Sequence, residues 1–210
     1  MALPARAFMA GYATRPGPPR SMDIVAGDPG NDGWRPEAMV RRLIDWQLTR
    51  FERKLGGSLD YVRFVVRTSL GAFLRLTKLL AFSNCRRAAP VDAFHTACLV
   101  ASHAENCGTC LQIGVNMAIQ DGMCADHVRA VIEGRPGDLP DDLAEVYAFA
   151  DGVLGRRPDL DTLREQVRGR LGDRGIVELA FGIAAARSFP TIKWALGYAT
   201  SCTRVEVPIR

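Results

Sequence analysis

Long uncharged apolar runs are missing from this 210-residue chain. None reaches the roughly 18 residues that a membrane-spanning helix needs, so an integral membrane protein is not expected. Aromatic residues make up only 8% and are not interleaved with a basic stripe, so nucleic acid is not an expected partner. Six cysteines are too few for a disulfide scaffold in a chain of this length. Alternating β-pattern is confined to Val205–Ile209, which is too short and too terminal to seed a sheet. The glycines of Gly27–Gly33 have neither a preceding strand nor nucleotide-loop spacing. No motif calls for a cofactor.

Hydrophobic residues reach 48% and charged residues 24%, the usage of a globular chain with one core, or at most two small domains. The net charge of +4 is unevenly placed: residues 1–90 carry +8 and residues 91–210 carry −4. Such halves suit surfaces that face each other, within a chain or between subunits, better than an anionic partner.

Residues 1–35 read as a disordered extension. Pro4, Pro16, Pro18, Pro19 and Pro29 interrupt any helix there. Arg6, Arg15 and Arg20 give a transit-peptide-like composition without an amphipathic run, and Met22 could equally serve as a start. Residues 36–89 read as added N-terminal helices. Pro36 opens Pro36–Leu55, with Met39, Leu43, Trp46 and Phe51 on one face. Gly56 and Gly57 end it, Ser58 caps the next, and 59–84 reads as one long amphipathic helix. Its arginines Arg63, Arg67 and Arg75 lie on an outer face, which fits a surface helix better than a membrane-bound one. From 90 to 202 the pattern predicts helices at 91–103, 107–120, 126–132, 141–154, 159–171, 174–188 and 191–200. Pro190 should break or kink the last pair. The expected class is an all-α bundle with short loops.

The one spacing with chemical content is Cys107-Gly-Thr-Cys110. Asn106 or Thr109 can cap a helix that continues through Leu111, Ile113, Val115 and Ala118. A cysteine in a first helical turn meets the positive end of the helix dipole, which favours thiolate. A second sulfur three residues on lets a disulfide close and reopen, so the pair reads as a dithiol/disulfide centre or as two buried small hydrophobes. His95 and His103, eight residues apart, could share a face of the preceding helix, and Glu105 lies two residues before Cys107. Each could relay protons to a thiol. Equally, the histidines could be ordinary surface or core residues, and Glu105 could act only on the helix end. Cys98, His103, Cys107 and Cys110 offer zinc-ligand types, but only one short-spaced knuckle exists, so no metal is expected. Cys85, Cys98, Cys124 and Cys202 read as free thiols of a reducing compartment, which points to the cytoplasm.

The run Glu105-Asn-Cys-Gly-Thr-Cys-Leu-Gln-Ile-Gly-Val-Asn-Met-Ala-Ile-Gln-Asp-Gly122 resembles the C-x-x-C helix of the carboxymuconolactone decarboxylase/AhpD-like superfamily. Downstream, helix 141–154 and then Gly175-Ile-Val-Glu-Leu-Ala-Phe-Gly-Ile-Ala-Ala-Ala-Arg187 resemble that family's later helices. The resemblance covers about residues 90–200, and residues 1–89 have no matching counterpart. It implies an AhpD-like helical bundle that assembles as a trimer or hexamer, with Cys107 and Cys110 as the redox pair. It further implies peroxide or another small molecule as substrate and a dithiol electron-donor protein as partner. Two positions depart from the redox members. Gly114 stands where they carry a His, and His95 stands where they carry a Glu. The family relay is thus altered or missing.

Three functions remain open at this stage. One is a cysteine-based peroxide or disulfide reductase. Another is a binding or assembly protein that keeps the fold without turnover. The last is a decarboxylase- or lyase-type enzyme of the same fold, with His95, His103 or Glu105 as base. Which cysteine would attack is undetermined.

Overall fold

The computed structural model describes residues 36–83, 86–199 and 205–207, and the expected extension at 1–35 lies outside them. Among the described residues the structure is all-α, with no strand. The helices are α1 Pro36–Leu55, α2 Asp60–Thr68, α3 Leu70–Ser83, α4 Val91–Ala104, α5 Gly108–Gln120, α6 Ala125–Ile132, α7 Asp141–Gly155 and α8 Leu160–Ala195.

Helix α4 is the centre of the bundle, packed by α5, α6, α7 and α8. Its pattern is apolar nearly all round, as a central helix must be. Leu99, Val115, Val128, Val131, Phe149, Val167 and Leu179 fill the main core. Asp92 in the first turn of α4, and Asp141 and Asp142 in that of α7, favour their helix N-termini electrostatically. A second, smaller core joins Leu48 of α1 to Tyr61, Val62 and Val66 of α2, with Ile192 of α8, and Leu196 just after that helix, packed against it. Helix α8 thus runs from one core into the other.

Two expectations are corrected here. The single helix over 59–84 is two helices. Ser69 takes an extended backbone, φ −159°, and its hydroxyl accepts the Ala72 N–H at 3.1 Å. A serine that caps from inside an amphipathic run starts a new helix. Pro190 does not end α8, which continues through it. The proline forgoes one backbone hydrogen bond, but its ring is fully buried, and core burial offsets the loss. The real interruption is Gly172, at φ 68° and ψ 177°, a conformation open essentially to glycine alone. On α1, Met39, Leu43, Trp46 and Phe51 are exposed, while Ile44 and Leu48 face the second core. Both faces of α1 carry apolar residues, so periodicity alone does not say which one the core takes.

Arg63 also leaves the expected outer face. Its guanidinium reaches Asp45 at 2.7 Å and Glu52 at 2.5 Å, which clamps α2 to α1. By length and composition α8 is long and apolar enough to cross a membrane. In the fold its buried residues, among them Leu179, Ile183 and Ala185, are core.

A polar ladder on the outer face of α5 ties the N-terminal helices to the bundle. Asn116 Nδ2 donates to the Leu55 carbonyl at 2.8 Å, and Gln120 Nε2 donates to the Lys54 carbonyl at 2.7 Å. Gln112 pairs with both backbone groups of Glu206, at 2.8 and 2.7 Å, so one side-chain amide stands in for a neighbouring strand. The turn after α1 lies so close that a Cβ on Gly56, at φ +67°, would meet Asn116 Nδ2 at 2.4 Å. Gly56→Ala is therefore expected to cost about 2 kcal/mol in urea unfolding, divided between left-handed strain and the clash. In an Asn116→Ala background the clash is gone, and the same change should cost only about 1 kcal/mol. Equal costs in both backgrounds would show that the close approach is unimportant.

Candidate dithiol site

The site is built at the junction of α4, α5 and α8. After α4 the chain turns through Asn106 at φ 51°, a left-handed conformation that asparagine tolerates better than most residues. That turn aims the chain into α5. Cys107 is the residue flanking the helix start, and its carbonyl accepts the Leu111 N–H at 2.9 Å. Cys110 is the third helical residue. The cap is thus neither Asn106 nor Thr109, and Cys107 precedes the first turn instead of lying within it. Cys107 and Cys110 are disulfide-bonded, with Cα atoms 5.3 Å apart. Cys107 is 1% exposed, whereas Cys110 is half-buried. The pair lies at the N-terminal end of α5, where the helix dipole favours negative charge.

Thr109 lies between the two cysteines. Its Oγ1 is 3.7 Å from Cys107 Sγ, and it accepts a hydrogen bond from Lys193 Nζ at 2.7 Å. Lys193 comes from α8 and is 4% exposed. Its ammonium also lies over the Tyr61 ring, 5.6 Å from the centroid. Burial lowers the Lys193 pKa, and the Asp60 carboxylate pulls the other way. Among the described residues no carboxylate forms an ion pair with this ammonium. Lys193 is the site residue that sequence reasoning missed. The available signal is that it is the only charge between Arg187 and Arg204.

The three expected relay residues are placed differently. Glu105 pairs with Arg187 of α8, Oε1 to Nε 2.5 Å, and its carbonyl accepts the Trp194 indole N–H at 3.1 Å. It therefore anchors the loop before Cys107 to α8. His103 is exposed at the end of α4. His95 is buried and pairs through Nε2 with Asp121 Oδ2 at 2.8 Å. Asp121 follows the last residue of the thirteen-residue α5, so His95 lies at the end away from the cysteines, roughly 20 Å along the helix. Burial holds its imidazole below the ordinary histidine pKa, against the pull of Asp121. His95 is not a proton relay for the pair in this fold. Gly114 packs against α4, where an added Cβ would lie 3.3 Å from Leu99 Cδ2, so a larger side chain there would have to displace core.

The residues of the zinc reading are not gathered. Cys98 lies against Gly182 of α8, and burial pushes its thiol up to about 12. Among the described residues no group of three or more His, Cys, Asp or Glu could hold a metal ion. Cys124 is an exposed thiol before α6, and Cys85 and Cys202 lie outside the described residues.

No family model matches the chain, and neither does any curated protein or solved structure. What the arrangement offers is two bonded cysteines at a helix N-terminus, one buried and one half-buried, beside a buried lysine.

Proposed function

We propose that this protein is a dithiol–disulfide oxidoreductase in which Cys107 and Cys110 cycle to reduce a hydroperoxide or a disulfide. The observation that carries the reading is the bonded pair at the start of α5, with Cys110 half-buried and Cys107 buried. The resemblance of residues 90–200 to the AhpD-like superfamily supports it, and we extend the proposal to that bundle. Cys110 is the attacking residue, because it is the less buried of the two and the helix end favours its thiolate. Its sulfur takes the outer oxygen of the hydroperoxide, the O–O bond breaks, and an alcohol leaves. Cys107 then attacks the resulting sulfenic acid, water leaves, and the disulfide forms. A donor dithiol returns two electrons and two protons. This cycle suits a reducing compartment such as the cytoplasm, where other thiols stay free. Assembly as a trimer or hexamer belongs to the same reading, and the outward apolar stripe of α1 is a surface that a second copy would cover.

The test is differential alkylation with mass spectrometry. Protein reduced with dithiothreitol, freed of it and exposed to cumene hydroperoxide should regain a Cys107–Cys110 disulfide, and fresh dithiothreitol should reopen it. The reading fails if both thiols remain alkylatable after excess hydroperoxide and after excess oxidised glutathione.

A further inference from the structure

A buried ammonium with no paired carboxylate is costly, by several kcal/mol for an isolated charge. Lys193 is such a group, 4% exposed, and its polar contact is the hydroxyl of Thr109 at 2.7 Å. In the disulfide, Cys107 has no S–H to give. Thr109 accepts from the ammonium, so its own hydrogen is free to point at Cys107 Sγ, 3.7 Å away. The ammonium is therefore one hydroxyl removed from the buried sulfur. We propose that Lys193, acting through Thr109, is the counter-charge that receives Cys107 as a thiolate when the disulfide opens.

This rests on the redox reading above and adds the group that sets its direction. A thiolate of the donor attacks Cys110 Sγ, on the less buried cysteine. The Cys107–Cys110 bond breaks, a Cys110–donor mixed disulfide forms, and the bonding electron pair stays on Cys107. The second donor thiol then attacks the donor sulfur, which releases Cys110. The donor leaves as a disulfide, its two protons pass to the protein, and two electrons have moved. Exchange is faster when the leaving thiol has a lower pKa, so a cation behind Cys107 speeds the first step and favours the reduced pair. The other groups near the ammonium do not fill this role. Asp60 acts on it without an ion pair, and burial pushes the Tyr61 hydroxyl up to about 12, which keeps it neutral. Glu105 is already taken by Arg187. Lys193 is thus a positioning residue, not one that touches the donor.

The experiment uses full-length protein with dithiothreitol as the probe. Reduction of the disulfide is followed across pH 6–10, with thiolate absorbance on the reduced form. Lys193→Met keeps an apolar chain of similar length, Thr109→Val removes only the hydroxyl, and Thr109→Ser restores it. Lys193→Met and Thr109→Val should each slow reduction by roughly tenfold near pH 7 and move the Cys107 thiolate transition to higher pH, while Thr109→Ser behaves as wild type. Thr109→Val keeps the test open should Lys193→Met fail to fold. If folded variants cycle with an unchanged rate and pH profile, the role of Lys193 is overturned and the redox reading stands. If wild type does not cycle, both fall.

Discussion

Cys110→Ser is expected to lower hydroperoxide turnover by at least about a hundredfold, as removal of one member of a cooperating set does elsewhere. Cys107→Ser should stop turnover as well, but at a different point. With Cys110 intact, one equivalent of hydroperoxide is still consumed, and a sulfenic acid stays on Cys110 because nothing resolves it. Dimedone labelling followed by peptide mapping reads this directly: label on Cys110 in Cys107→Ser, none in Cys110→Ser. The asymmetry follows from burial. Cys107 is 1% exposed, so an external peroxide cannot approach it along the axis that breaks the O–O bond. Cys110 is half-buried and sits in the first turn of α5, where unpaired N–H groups stabilise its charge. Label on Cys107 in the Cys110→Ser variant would reverse the assignment of attacking and resolving cysteines.

Helix order, and the cysteine pair at a helix start, were legible because they depend on local signals. The 3.6-residue period, Pro36, Pro90 and Pro140 at helix entries and glycines at exits all act within a few residues. What was not legible depends on partners far along the chain. Lys193 reads as an ordinary surface lysine until α2 brings Tyr61 over it and α5 brings Thr109 under it. His95 and His103 share a helix, but α5 places Asp121 beside His95 while His103 stays in solvent. On α1, two apolar faces compete, and only the second core selects Ile44 and Leu48. The ladder of Gln112, Asn116 and Gln120 has helical spacing in the sequence, yet nothing local says that its amides hold other segments. The break at Ser69 is a local signal, but a lone hydroxyl is a weak feature within an apolar run.

Glu178→Ala should produce a large loss of stability, about 3 kcal/mol, which for a chain of this size lowers Tm by roughly 10 °C. Glu178 lies on α8, is 4% exposed, and has no basic partner within ion-pair distance among the described residues. Its carboxylate instead accepts the Ala88 N–H at 2.8 Å and the Ala89 N–H at 2.8 Å, at the entry to α4. Burial alone would raise its pKa, but these backbone donors outweigh burial and hold the carboxyl below its ordinary value. The charge therefore fixes where the central helix begins, and its removal leaves donors at that junction without an acceptor. Glu178→Gln separates charge from shape: it keeps one acceptor oxygen, turns an amide N–H₂ toward a donor, and should still cost about 2 kcal/mol. The sign of the pH effect follows from the lowered pKa. Stability from Glu178 is present above the unfolded carboxyl value, near 4.5, and is lost as pH falls through the lower folded value. Denaturation measured at pH 6 and at pH 3 should thus show a wide gap between wild type and Glu178→Gln at pH 6 that narrows at pH 3. A gap that stays constant would mean that the residue acts by packing and that its charge does not hold the start of α4.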